Sequence, residues 1–156
     1  MAALSFSRII ASGFGAGFFP WAPGTAGSFV ALLVGAVLLW LSPVAVPVAV
    51  LGATFGGLWA VTAARAGDDP DWVVIDEFAG QWIALLPLAR PTLPGFVAAF
   101  LLFRLLDVVK PGPIGWADRQ RGPAAVMADD LIAGAITAGI LWAAQTRWPG
   151  VFDWPG

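Results

Sequence analysis

Two pairs of adjacent carboxylates, Asp76-Glu77 in VVIDEFAGQW and Asp129-Asp130 in VMADDLIAGA, stand in otherwise apolar surroundings. A carboxylate buried without a partner is protonated rather than left charged, so each pair calls for a cation, a helix end or water. A third group, FRLLDVVK, sets Arg104 and Asp107 three residues apart, on one face of a helix, with Lys110 one turn further on. Carboxylate oxygens suit a hard ion such as Mg2+, Mn2+ or Ca2+, and the neighbouring Arg and Lys suit a phosphate. The plainer alternative for the acid pairs is a favourable position in the first turn of a helix, where the macrodipole contributes about 0.3 to 1 kcal/mol each. For FRLLDVVK it is an Arg104-Asp107 pair that neutralises itself while Lys110 reaches the membrane interface. Two acid pairs with Asp107 close by favour a cation site.

Composition sets the context. The 156 residues suffice for one domain, residues 1–156, and 59% of them are hydrophobic against 12% charged. With a mean hydropathy of +0.82, this is a membrane-protein composition. The chain has no Cys and no His, which excludes a thiolate nucleophile, a histidine base and a Cys- or His-ligated metal. A net charge of -2 without a basic run argues against nucleic acid as partner. Arg8 is followed by no compact apolar core with a small-residue cleavage site, so no removable signal peptide is expected.

No charged residue occurs from Ile9 to Ala64, and nine of the ten acids fall between Asp68 and Asp130. Five apolar helices are predicted: 28–42, 48–64, 72–88, 96–110 and 129–145. The first two, at 15 to 17 residues, are slightly short for a full span of about 20. The expected fold is all-α, a compact membrane-embedded bundle of about five main helices. If the helices alternate in direction, PGTAGS, GDDPD, Asp76-Glu77, Arg104 to Lys110 and Asp129-Asp130 all meet at one end. Six of the eight Lys and Arg residues lie there too, which assigns that end to the cytoplasm. The PGTAGS segment could cradle an anion through backbone N–H groups and the hydroxyls of Thr25 and Ser28, or Ser28 could simply cap a helix. DPDWV fits an aspartyl-phosphate phosphatase pattern, but no buried strand is expected to precede it, and the match is set aside.

Four blocks, GFGAGFFPWAPGTAGS, DDPDWVVIDEFAGQWIALL, FLLFRLLDVVKPGPIGWADR and VMADDLIAGAITAGI, in this order and at these separations, resemble the phosphatidylglycerophosphatase A family over roughly Gly13 to Ile140. The resemblance implies an all-helical bundle at a bacterial inner membrane. It also implies Mg2+-dependent hydrolysis of the terminal phosphomonoester of phosphatidylglycerophosphate to phosphatidylglycerol and phosphate. Carried onto this chain, the family's polar positions are Thr25, Ser28, Asp76, Glu77, Arg104, Asp107, Lys110, Asp118, Arg119, Asp129 and Asp130. On that reading Asp76, Glu77, Asp129 and Asp130 hold metal, and Asp107 orients water or completes the metal shell. Arg104, Lys110 and Arg119 then neutralise the phosphoryl group, with Thr25, Ser28 and Asp118 on the substrate side. The segment QRGPAAV (120–126) departs from the family by being shorter and poorer in Gly, which makes Arg119 and Arg121 its replacement phosphate contacts. The rival readings are a small transporter or channel, whose charges would line a path between both ends, and a non-catalytic membrane scaffold. A peripherally attached form of the bundle is a further alternative.

Overall fold

The computed structural model describes residues 5–153; helix is the only regular secondary structure in that range, and no strand occurs there. Seven α-helices follow one another: α1 Phe6–Ala11, α2 Pro23–Leu41, α3 Ala45–Ala63, α4 Ile75–Leu85, α5 Leu93–Val109, α6 Pro113–Asp118 and α7 Pro123–Arg147, with a 3-10 turn at Ala16–Phe18. The five predicted helices are α2, α3, α4, α5 and α7. Proline in the first turn starts α2, α5, α6 and α7, where its fixed φ suits the helix and its missing N–H costs nothing.

The short helix α4 is the axis of the bundle. Seven consecutive residues, Ile75 to Gln81, are buried, because α2, α3, α5 and α7 surround them. Neighbouring positions give the directions. Gly24 lies against Glu77 and Gly35 against Leu85, so α2 runs parallel to α4; Val126 and Met127 share one core cluster with Ile75 and Phe78, and Leu141 shares another with Leu85 and Leu88, so α7 runs parallel as well. Arg104 meets Glu77 while Gly95 meets Leu88, so α5 is antiparallel. The Trp82 indole donates to the Ala31 carbonyl at 2.8 Å and pins α4 to α2.

Outside this core the helices present apolar side chains to the surroundings: Leu33, Val37 and Trp40 on α2, Leu51 and Phe55 on α3, Leu101 and Leu105 on α5. Exposed apolar faces of this extent belong to a lipid environment. Three helices, α2, α3 and α7, are long and apolar enough to cross a membrane. At 19 residues each, α2 and α3 rise about 28 Å at about 1.5 Å per residue, close to the hydrocarbon thickness, and the sequence expectation of short spans is corrected.

Two helix starts also differ from expectation. Helix α2 begins at Pro23, so PGTAGS is its first turn and not a loop, and Ser28 lies inside the helix instead of capping it. Helix α7 begins at Pro123, which puts Asp129 and Asp130 almost two turns inside and not at its opening. In both cases the helix starts at a proline, and the polar residues downstream resemble helix ends because polarity usually accompanies an end. The predicted 72–88 helix is shorter, α1 and α6 were not expected, and residues 149–153 of the tail form turns.

Candidate active site

At the end of the bundle where α2, α4 and α7 begin and α5 ends, a polar cavity of about 420 Å³ opens between the helices. Asp76, Glu77, Asp107, Lys110, Asp129 and Asp130 line it, along with Asp69 and Asp71 from the α3–α4 connection. Pro23 and Gly24 form its apolar lip. Five of these carboxylates, Asp76, Glu77, Asp107, Asp129 and Asp130, are buried.

Each side chain is held by local structure. Asp76 and Glu77 occupy the first turn of α4, and the Glu77 N–H donates to Asp76 Oδ1 at 3.0 Å, so Asp76 does serve the helix end. Glu77 turns toward α2 and α5. Its Oε2 accepts from Ser28 Oγ and from Arg104 Nη1, the latter at 2.6 Å. The same Arg104 nitrogen donates to Asp107 Oδ2 at 2.5 Å. This pairing needs Gly24, because a Cβ there would fall 2.1 Å from Glu77 Oε1.

A second cation is placed by the end of α5. Lys110 takes a left-handed conformation, φ 50°, as the helix C-cap, and Pro111 and Pro113 prevent the helix from continuing. Gly115 lets α6 fold back, since a Cβ would meet the Lys110 carbonyl at 2.4 Å. Lys110 Nζ then donates to Asp129 Oδ2 at 2.7 Å and to Asp118 Oδ1. Partial burial opposes the lysine charge, but the hydrogen bonds to Asp118 and Asp129 outweigh it and lift its pKa above the ordinary value.

Three carboxylates remain close together. Asp107, Asp129 and Asp130 each offer an oxygen, and the three atoms lie within 4.8 Å of one another. Close approach of α7 makes this possible: Gly80 faces the Asp130 carbonyl, and Gly134 faces the Gly80 backbone. The donor set is all oxygen, buried and anionic, which fits a hard divalent cation. Asp76 shares the cavity. Glu77 does too, but one of its oxygens is committed to Arg104 and Ser28.

Sequence reasoning missed Asp69 and Asp71 as members of this wall. Their signal was GDDPD following α3 at the polar end, overshadowed by the rejected phosphatase pattern; what precedes Asp69 is helix and turn, not strand. Asp69 sits on the rim, solvent-facing yet crowded by the cavity walls, and partial desolvation with repulsion from Asp129 pushes its carboxyl up to about 6. Arg119 and Arg121 line an adjoining cavity of about 350 Å³ that shares Asp69 and Asp129 with the first. Asp118 lines that outer cavity as well, and Thr25 is exposed on α2 and lines neither.

A carboxylate-rich cavity with two fixed cations, set at one end of a bundle with three helices of membrane-spanning length, fits a class: membrane-associated enzymes acting on phosphorylated substrates. The chain belongs to the phosphatidylglycerophosphatase A family, whose match spans residues 9–145, and it is a phosphoric monoester hydrolase. An Escherichia coli K12 protein named phosphatidylglycerophosphatase A is 39% identical over 151 residues, covering 91% of this chain and 85% of that protein. A Haemophilus influenzae protein of the same name is 33% identical over 143 residues, covering 88% of each. A Bacteroides thetaiotaomicron protein named "Putative phosphatidylinositol-3-phosphatase" is 38% identical over 151 residues, covering 90% of this chain and 92% of that one. No solved structure matches the chain.

Proposed function

We propose that this protein removes the terminal phosphomonoester of phosphatidylglycerophosphate, giving phosphatidylglycerol and phosphate for phospholipid synthesis, with Mg2+ as cofactor. The observation that carries the Mg2+ reading is the charge imbalance of the cavity: seven carboxylates line it against Lys110, with Arg104 behind Glu77 as the second cation. A phosphate dianion would be repelled from such a cavity unless divalent cations first neutralised it. Asp107, Asp129 and Asp130 are the residues to hold the ion, with Asp76 and the free oxygen of Glu77 available to a second one. When bound, Mg2+ neutralises phosphoryl oxygens and acidifies a water molecule.

The chain's own groups supply the rest. Lys110 stays charged because two carboxylates hold it, so it acts as an electrostatic clamp on the phosphoryl group and not as an acid. Arg104 fixes Glu77 and Asp107 and offsets part of their charge. Asp76 has no cation partner among the described residues, so where a single ion is bound its carboxylate is free to orient the attacking water and take its proton. Water oxygen attacks phosphorus as Asp76 takes its proton, the ester P–O bond breaks, and the departing lipid alkoxide takes up a proton, from Asp76 or from solvent, to leave as the alcohol. Arg119 and Arg121, in the outer cavity, meet the phosphate on the aqueous side.

The positive residues gathered at this end support a site facing the cytoplasm of a bacterial inner membrane. Clustering of the charge at one end also favours an enzyme over a transporter, which needs polar groups along a path through the bundle. The test is phosphate release by detergent-solubilised protein from phosphatidylglycerophosphate, and in parallel from phosphatidylinositol 3-phosphate, with Mg2+ or with EDTA. Release from the first substrate in Mg2+ only is expected. Preference for the inositol lipid would transfer the reading to the activity named for the Bacteroides relative, and release in EDTA would remove the metal from it.

A further inference from the structure

We infer that the crevice between α2 and α4, roofed by residues 13–19, seats one acyl chain of the phospholipid substrate, with Arg8 at its headgroup end. The inference rests on the phospholipid reading above. Two apolar cavities make up the crevice. One, of about 420 Å³, is bounded by Phe14, Val34, Phe78 and Trp82; the other, of about 320 Å³, by Phe18, Phe19, Pro20 and Ala26. They share Ala16 and Val30 and so form one channel along the flank of α2. Its only polar side-chain group, the Trp82 indole N–H, is already bonded to Ala31. A headgroup would find no partner there; a hydrocarbon chain would.

The roof is built to lie close on α4 and on the segment that leads into it. A Cβ at Gly13, φ 58°, would stand 2.6 Å from the Phe78 ring, and one at Gly17 would stand 2.1 Å from the Trp72 carbonyl. The crevice also abuts the polar cavity across single elements. On α4, Glu77 lines the polar cavity and Phe78 the crevice; on α2, Gly24 lines the first and Ala26 the second. A chain seated in the crevice therefore brings its headgroup within one helical turn of the carboxylates. At the crevice's head end the Arg8 guanidinium lies 4.7 Å from the Trp72 ring and 5.7 Å from the Phe18 ring, which holds a cation where a phosphodiester would emerge. Arg8 forms no ion pair among the described residues. The other exposed apolar positions, such as Val37, Leu51 and Phe55, line neither cavity and serve as bulk-lipid controls.

The experiment uses the full chain in nanodiscs with phosphatidylglycerol carrying a diazirine in one acyl chain. Adducts are expected on residues 13–19, 30–34 and 78–82, to be competed by unlabelled phosphatidylglycerol, and to be lost from these segments in Val30→Phe. Adducts spread over Val37, Leu51 and Phe55 in proportion to exposure would overturn the inference. In a kinetic arm, Val30→Phe should raise KM several-fold more for diacyl phosphatidylglycerophosphate than for its deacylated headgroup, Arg8→Gln should raise KM for both because both keep the phosphodiester, and Val37→Phe should change neither. Equal effects of Val30→Phe on both substrates would count against the crevice, and no effect of Arg8→Gln on either would remove Arg8 from its head end. The labelling arm needs no turnover, so failure of wild-type protein to release phosphate would sink the proposed substrate while leaving the crevice to be decided by its adducts.

Discussion

Gly80→Ala probes the site without altering any charged group. A Cβ at Gly80 would fall 2.6 Å from the Asp130 carbonyl and 2.6 Å from Phe103 Cε2. Ordinary carbon contacts begin near 3.4 Å, so α7 or α5 must yield by about 0.8 Å. Yielding moves Asp130 directly, and Asp129 with it, relative to Asp107. Overpacking of this kind costs about 1 to 3 kcal/mol, against which alanine returns up to about 1 kcal/mol of helix propensity. The expected net loss of stability is therefore small, about 0 to 2 kcal/mol. Activity should suffer far more, because a misplacement of about 1 Å at reacting groups costs about 100-fold. The assay is phosphate release across a Mg2+ titration, with the thermal midpoint in the same detergent. A drop in kcat of roughly 100-fold with a raised Mg2+ requirement is expected, and Gly134→Ala, 2.3 Å from the Gly80 carbonyl, should be worse. Gly139→Ala, on the same helix but facing open space, should keep full activity. Wild-type turnover and Mg2+ dependence in Gly80→Ala would refute the claim that close α4–α7 approach sets the carboxylate geometry.

Three further outcomes follow from the same geometry. Asp107→Asn, Asp129→Asn and Asp130→Asn should each abolish Mg2+-dependent phosphate release while leaving the fold intact by circular dichroism, and full activity in any one would remove that residue from the metal set. Arg104→Ala leaves Glu77 and Asp107 without their shared cation and should cost about 3 to 5 kcal/mol, whereas Arg104→Lys should recover part of it; chemical unfolding in detergent would measure both. Asp69, whose carboxyl is pushed up to about 6, binds more protons in the folded than in the unfolded chain between roughly pH 4 and 6, so its contribution to stability falls as pH rises through that window. Asp69→Asn should therefore raise the thermal midpoint at pH 8 but not at pH 4, and an equal difference at both pH values would contradict the assignment.

Much of this site was legible along the chain. Asp76-Glu77, Arg104, Asp107, Lys110 and Asp129-Asp130 stand out because an apolar chain has few charges, and alternating helix direction alone gathers them at one end. Charge scarcity gave no guide to Asp69 and Asp71, which lie in a connection whose polarity is what any loop would have. The helix starts at Pro23 and Pro123 are not legible in the sequence for a related reason. Polar residues such as Ser28 and Asp129 look like helix ends when nothing in the chain itself indicates that they are covered by other helices.

What the sequence by itself determined is the class of chemistry and its setting. Without Cys or His, only carboxylates, hydroxyls, Lys and Arg were available, and 59% apolar residues required a membrane-type bundle with the polar groups at an end. Only the tertiary structure decided how the carboxylates divide. Glu77 is drawn to Arg104 and Ser28, Asp129 is shared with Lys110, and the oxygens of Asp107, Asp129 and Asp130 converge within 4.8 Å. The physical reason is that convergence depends on distances between α4, α5 and α7. Gly80 and Gly134 set the closest of these, and a glycine's role in close approach appears only once the opposing backbone is in place.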